Sequence, residues 1–341
     1  MDNEKYLEQL TQELQAKQEK EKDITAAVEY ASNLLKLHLP VIFDRKHFAL
    51  LTGCELSEIT KMMALIDTEY YFETQIPKKS GEMRYLQIPA MRLRTIQRWI
   101  LDHILYQIRV SPYCNGFCRK RSICTNARKH LHQDCVVNMD LKDFFPSITQ
   151  KQVFRIFYYY GYTDEVSYML SRLCTCDGHL PQGAPTSPYL SNIVCLRLDK
   201  RLAGLAKKYE AVYSRYADDI TFSGKYGVEN IIPIAEKIIR DEEFRVNDAK
   251  TRVAYRYQHQ EVTGICVNDT QMHVDRQYIK NLKMQIYYCK KYGVQSHLDH
   301  IQCKKRFYKE HMYGKAYFVN MVDNETGQYL LKQLDEINWE S

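Results

Sequence analysis

The chain has 341 residues, 45% of them hydrophobic, and a formal net charge of +6. That length predicts about two domains, or one larger fold with subdomains, and excludes a small disulfide scaffold. No apolar run reaches the roughly eighteen residues of a membrane span, residues 1–30 are too charged for a signal peptide, and the apolar share excludes a disordered tail protein.

Residues 4–37 read as helical, with Leu7, Leu10 and Leu14 on one face and Ile24, Ala27, Val28 and Ala31 on another, until Pro40 ends the region. The start is acidic: residues 1–30 hold 8 Asp or Glu against 4 Lys, a net of −4. It reads as a helix packed on its own domain or as a partner surface. A short helix over 56–66 follows the turn at Gly53, Lys78-Lys79-Ser80-Gly81 reads as a hairpin tip, and Arg84 to Ile88 alternates like a strand. Residues 90–110 form a basic amphipathic helix with Ile96, Trp99, Ile100, Ile104 and Leu105 as its apolar face.

Val136 to Met139 is a short strand that ends on Asp140, and residues 150–160 and 164–174 are two helices. Pro188 at the first helical position, with Ser187 as cap, opens a helix carrying Ile193, Val194, Leu196 and Leu198. Val212 to Ala217 and Ile220 to Ser223 are strands, with Asp218 and Asp219 at the turn between them. Residues 231–243 are helical, Arg252 to Tyr257 and Val262 to Val267 are strands, and the chain beyond 276 is mainly helical. This interleaving predicts an α+β core with helical pieces at both ends.

Two stretches are strongly basic. Residues 78–130 carry 12 Lys or Arg against Glu82 and Asp102, a net of +10, and residues 280–315 carry 9 against Asp299 and Glu310, a net of +7. They suit a polyanion such as nucleic acid, or are simply two solvated surfaces. The 27 tyrosines offer flat faces for bases and hydroxyls for phosphates, although many belong to a core. The 11 cysteines, without secretory context, read as cytosolic thiols. Cys114, Cys118 and Cys124, with His130 or His132, are spaced too loosely for a zinc ribbon, so buried thiols are the expected reading.

The sharpest signal is Tyr216-Ala217-Asp218-Asp219. Adjacent carboxylates at a hairpin tip repel and raise each other's pKa unless a cation neutralises them. A hard ion with oxygen ligands, such as Mg²⁺, does so, and Asp140 at the end of another strand supplies a third carboxylate. Three carboxylates on two adjacent strands make a two-metal clamp for phosphoryl transfer. A lone Asp-Asp pair is otherwise an ordinary solvated turn.

The blocks Asn138-Met139-Asp140-Leu141-Lys142-Asp143-Phe144-Phe145-Pro146-Ser147-Ile148 and Tyr216 to Ser223 resemble the catalytic motifs of reverse transcriptases. Leu180-Pro181-Gln182-Gly183-Ala184-Pro185-Thr186-Ser187-Pro188 is similar to that family's template and nucleotide-positioning motif. Arg84-Tyr85-Leu86-Gln87-Ile88-Pro89 looks like its fingers motif, and Lys250 matches its later lysine motif. The resemblance is clear over residues 78–268.

It implies two Mg²⁺ ions on Asp140 and Asp218 with Asp219 in support, and the backbone carbonyl of Leu141 as a further ligand. It implies dNTP substrates held by Arg84, by Lys78 or Lys79 and by Gln182. Phe145 would clash with a ribose 2′-hydroxyl, with Phe144 competing for that role, and Lys250 would protonate the leaving pyrophosphate.

Asn126-Ala127-Arg128-Lys129-His130 and Val262-Thr263-Gly264 resemble two signatures of bacterial retron reverse transcriptases. That resemblance implies a cytoplasmic enzyme that copies part of a cognate structured noncoding RNA. Synthesis would start from an RNA 2′-hydroxyl and give a branched RNA–DNA hybrid. RNA contacts would come from Asn126 and His130 and from the thumb, through Lys304, Lys305 and Arg306. A role in anti-phage defence with a separately encoded effector, and template removal by host RNase H, are further implications, with no membrane involved. The fold implied is a right-hand polymerase with an antiparallel palm sheet: an N-terminal helical region at 1–40, fingers at 41–135, palm at 136–268 and thumb at 269–341. Two other readings stand beside it: another bacterial defence or group II intron-like reverse transcriptase, and a non-catalytic nucleic-acid-binding scaffold.

Overall fold

The structure is a computed structural model that describes residues 3–77, 81, 83–302 and 307–339. Two compact units interleave along the chain. The first comprises Met1–Pro112, Leu141–Lys200 and Ile239–Arg245, and the second Tyr113–Asp140, Arg201–Ile238 and Val246–Ser341. Among the described residues no helix is long and apolar enough to cross a membrane.

The first unit is mostly helical. The N-terminal stretch is two helices, Asn3–Ala16 and Glu21–Lys36; the first buries nothing, and the second buries Ala31 and Leu34. An unforeseen helix, Arg45–Thr52, starts where the Asp44 carboxylate accepts from the His47 amide and stops at left-handed Gly53. Helix Leu56–Glu69 is tied to helix Asp164–Cys174 by Arg172, whose fork donates to both Asp67 carboxylate oxygens at 2.9 and 2.6 Å. Strands β1 (Tyr71–Pro77) and β2 (Met83–Pro89) form an antiparallel hairpin with Ile76 opposite Arg84.

Several boundaries differ from the sequence pattern. The basic helix runs only from Met91 to His103, and a 3₁₀ turn, Leu105–Gln107, takes up Leu105. Ser187 is itself the first helical residue, Thr186 stands at the cap position, and the helix ends at Val194 before a separate helix, Leu196–Lys208.

The second unit is built on a four-stranded antiparallel sheet of order β4-β5-β3-β6, where β3 is Cys135–Asp140, β4 Val212–Tyr216, β5 Asp219–Gly224 and β6 Arg252–Tyr255. One sheet face is buried, with Val137, Met139, Ile220, Phe222 and Tyr213 as its apolar members and Arg215 beside them. The outer edge of β4 does not stay open. The Asn115 amide donates to the Arg215 carbonyl at 2.7 Å, and the Arg215 amide donates to the Tyr113 carbonyl at 3.0 Å, a parallel bridge centred on Cys114.

The single strand expected over Val262 to Val267 is instead a miniature hairpin of β7 (Glu261–Val262) and β8 (Ile265–Cys266). Thr263 and Gly264 adopt φ of 49° and 82°, which reverses the chain between them. Val262 and Ile265 pack with Cys124, Ala127 and Val136. Beyond them, helices Arg276–Tyr292, Val294–His300, Tyr308–Val322 and Asn324–Asp335 enclose a core that includes Leu282, Ile286, Met312, Val319, Leu330 and Leu334.

Candidate active site

Strand register brings the first two carboxylates together. Asp140, the last residue of β3, pairs directly with Asp219, the first of β5, so both side chains leave the same sheet face. Asp218 immediately precedes Asp219 in the tight β4–β5 turn, where Ala217 is left-handed with φ of 57°. Lys250, on the 3₁₀ turn Asp248–Lys250, donates to Asp140 Oδ1 at 2.7 Å. The Asp140 carbonyl accepts from the Asn247 amide at 2.8 Å, which fastens that turn to the end of β3.

The electrostatics are those of a crowded anion site. Desolvation, then the charges of Asp218 and Asp140, push the Asp219 carboxyl up to about 7, against the opposing pull of Lys250. The hydrogen bond to Asp140 raises the Lys250 ammonium above its ordinary range. Three carboxylates against one ammonium leave an excess of negative charge, and all-oxygen donors suit Mg²⁺. The three do not close to within 4.8 Å of one another; among the described residues that spacing is met by Asp67, Cys176 and Asp177. The latter set is an ion-pair cluster, because Asp67 is saturated by Arg172 and by the Asp177 amide at 2.7 Å, and Arg172 holds its pKa down.

The remaining polymerase-motif residues lie in the first unit. Gln182 is half-buried, and its carbonyl accepts from the Gln87 amide of β2 at 2.8 Å. Gly183, with φ of 137°, lies so close to β2 that a β-carbon there would stand 2.6 Å from the Gln87 carbonyl oxygen. Arg84 is exposed on β2. Phe144 is buried against Phe244, with ring centroids 5.8 Å apart, whereas Phe145 is only half-buried. The Leu141 side chain is buried, which leaves its backbone carbonyl as the group to offer. Lys78 and Lys79 lie outside the described residues.

Asn126 and His130 are placed differently from the RNA contacts expected of them, because both are buried. His130 Nδ1 meets the Ser223 hydroxyl and Nε2 the Ser214 hydroxyl, each at 2.7 Å, so the ring bridges β5 and β4 behind the aspartate turn. Burial pushes its pKa down to about 3, so the ring is neutral. Both His130 ring nitrogens are thus engaged within the protein, and neither Asn126 nor His130 exposes surface. In the loose cysteine set, the Cys124 thiol points to the Met321 carbonyl at 3.5 Å, and Cys114 and Cys118 are free thiols with sulfurs 3.7 Å apart.

Lys304, Lys305 and Arg306 lie outside the described residues. Elsewhere in the C-terminal helices Lys291 sits 5.4 and 5.1 Å from the ring centroids of Tyr287 and Tyr292, both exposed, and Lys283 sits 5.4 Å from that of Tyr329. Cations on exposed aromatic faces suit unpaired bases and their phosphates.

Sequence patterning missed Arg215, which is completely buried, and the serine partners of His130. The available signal was an arginine at an inward position of an alternating strand, directly before the aspartate turn.

Known proteins give this geometry a context. The sequence pattern of the family described as Reverse transcriptase (RNA-dependent DNA polymerase) matches residues 76–293. The chain is 30% identical over 309 residues to Retron Ec86 reverse transcriptase of Escherichia coli, covering 89% of this chain and 92% of that protein. It is 36% identical to Retron Mx65 reverse transcriptase of Myxococcus xanthus over 77% of this chain and 64% of that one, and 34% identical to Retron Mx162 reverse transcriptase of the same organism over 80% and 62%.

Proposed function

The chain belongs to the reverse transcriptases, RNA-directed DNA polymerases, and within them to the retron group, and we propose on that premise that Asp140, Asp218 and Asp219 hold two Mg²⁺ ions for nucleotidyl transfer. The observation that carries this is the cross-strand pairing of Asp140 with Asp219 beside Asp218, with Lys250 on Asp140. Bound Mg²⁺ supplies a lowered pKa for the attacking hydroxyl and charge neutralisation at the leaving oxygen.

The protein's own groups do the rest. Arg84, together with Lys79, grips the triphosphate of an incoming dNTP, and the Gln182 amide contacts nucleotide or template. Phe145, half-buried where Phe144 is fully packed, stands under the sugar and rejects a 2′-hydroxyl. The primer hydroxyl loses its proton to solvent and attacks the α-phosphorus, the bond to pyrophosphate breaks, and the Lys250 ammonium delivers a proton to that leaving group. The Leu141 carbonyl is a further oxygen ligand for the ions.

The template is a structured noncoding RNA from the same locus, bound by the basic, tyrosine-rich thumb that includes Lys304, Lys305 and Arg306. Synthesis starts from an RNA 2′-hydroxyl and yields a branched RNA–DNA hybrid. The enzyme works in the bacterial cytoplasm in anti-phage defence with a separately encoded effector, and host RNase H removes copied template. Sequencing the nucleic acid that copurifies with the full chain tests this reading. A DNA of discrete length joined to a guanosine 2′-oxygen is the expected product, and heterogeneous or unbranched products overturn it. Asp218→Asn and Asp219→Asn abolish synthesis if the metal assignment holds.

A further inference from the structure

Arg215 is a charged side chain with no exposed surface, one residue before Tyr216-Ala217-Asp218-Asp219. A buried guanidinium is costly unless its hydrogens are taken up. Its Nη1 donates to the Ala217 carbonyl at 3.0 Å. Ala217 is the strained residue of the turn, with φ of 57°, a region that β-carbon crowding makes unfavourable for alanine. Its carbonyl sits on the peptide that leads into Asp218, so the arginine grips the turn at the bond that aims that carboxylate.

The same turn is backed from outside the sheet. Residues Tyr113 to Asn115 ladder onto Arg215, and the next residue is Gly116. A β-carbon on Gly116 would stand 2.6 Å from the Ala217 amide nitrogen and 3.1 Å from the Tyr216 carbonyl carbon. Both are backbone atoms, so the turn itself would have to move. The strained turn is thus held on one side by a guanidinium hydrogen bond and fits flush against a glycine on the other.

We infer that Arg215 is a positioning residue for the metal-binding carboxylates, acting through the Ala217 carbonyl, with Gly116 as the backstop that fixes how far the turn can lie. The inference rests on the reading of Asp218 and Asp219 as metal ligands. Arg215 touches neither substrate nor ion in this role.

The sign of one measurement separates positioning from plain electrostatics. Deleting a positive charge near a cation site tightens divalent binding by Coulomb's law. Deleting a group that aims the ligands weakens it, and loss of an outer partner of this kind costs about tenfold in affinity. Mn²⁺ serves as the probe, titrated into the full chain and followed by the electron paramagnetic resonance of the free ion, with thermal melting on the same samples. Arg215→Gln is expected to weaken Mn²⁺ binding about tenfold, with Arg215→Lys in between. Gly116→Ala keeps every charge and is expected to weaken it as well. Unchanged or tighter Mn²⁺ binding in a folded Arg215→Gln protein overturns the inference. If that protein does not fold, Gly116→Ala decides alone, and an unchanged affinity there is equally fatal. Asp218→Asn separates the two levels. Parental Mn²⁺ binding in that variant defeats the metal-ligand reading itself, whereas its loss there, with no change in Arg215→Gln, defeats only the role given to Arg215.

Discussion

Lys250 donates an ammonium hydrogen to Asp140 Oδ1 across 2.7 Å, so the cation assigned to the leaving group rests on a carboxylate assigned to the metals. Its replacement therefore has two opposite effects. Lys250→Gln slows single-nucleotide incorporation at saturating dNTP by about 100-fold, the scale of a lost general acid. The same change tightens Mn²⁺ binding, because the carboxylates lose their counter-charge. Rapid-quench kinetics and an Mn²⁺ titration check the two signs; a parental rate removes the general-acid role.

Gly183 carries the contact between the Gln182 loop and β2. Gly183→Ala places a methyl 2.6 Å from the Gln87 carbonyl oxygen on a backbone with φ of 137°. A loss of about 1–3 kcal/mol is expected from the strained backbone, measured as a shift in urea midpoint. The KM for dNTP rises too, because Gln182 moves with the loop. A stable variant with an unaltered KM contradicts the link.

Phe145 is the more accessible of the two adjacent rings, since Phe144 is packed against Phe244. Phe145→Ala is expected to raise ribonucleotide incorporation relative to deoxynucleotide by about tenfold or more, since discrimination there rests on a clash and not on a hydrogen bond. Competition between labelled rATP and dATP on one primed template measures the ratio. Phe144→Ala should instead lower the melting temperature and leave the ratio alone.

His130 makes stability depend on acid. Its folded pKa is about 3, against the ordinary 6.5, so the native state resists a proton that the unfolded chain accepts. The stability this gives is fully present above pH 6.5 and is lost as the pH falls toward 3. His130→Gln is less stable at pH 7, because two buried serine hydroxyls lose a partner, but its urea midpoint falls less steeply between pH 6.5 and 4. Parallel slopes for the two proteins would contradict the buried neutral imidazole.

The RNA-binding role proposed for the C-terminal basic residues is tested by salt. Replacing Lys304, Lys305 and Arg306 with Gln weakens binding of the cognate RNA. It also lowers the log–log salt slope by about two, at roughly 0.7 for each phosphate no longer neutralised. Fluorescence anisotropy over a salt series from roughly 50 to 300 mM reads both, and an unchanged slope removes these residues from the interface.

Much of this site was readable because local rules governed it. The hairpin around Asp218 and Asp219, the strand ending on Asp140 and the helices Gln150–Tyr159 and Asp164–Cys174 follow from alternation, periodicity and capping within a few residues. Other parts depend on contacts distant in sequence. Asn126 and His130 look like polar surface in a basic stretch, and only the folded sheet shows that they are interior. The strand period over Val262 to Val267 hides a reversal, since Thr263 turns left-handed against its β-branched preference. The basic helix stops at His103 although its apolar face continues to Ile104 and Leu105: Ile104 is buried at the cap position and Leu105 in the 3₁₀ turn that follows.

The imidazole shared by Ser214 and Ser223 has a consequence for descent. Its two partners lie 84 and 93 positions from it, yet changing any one of the three leaves a buried polar atom stranded, while changing all three to apolar residues of similar shape is close to neutral. Positions 130, 214 and 223 are therefore expected to change together. Among relatives that diverge in this segment, a hydrophobic residue at one of them should be accompanied by hydrophobic residues at the other two.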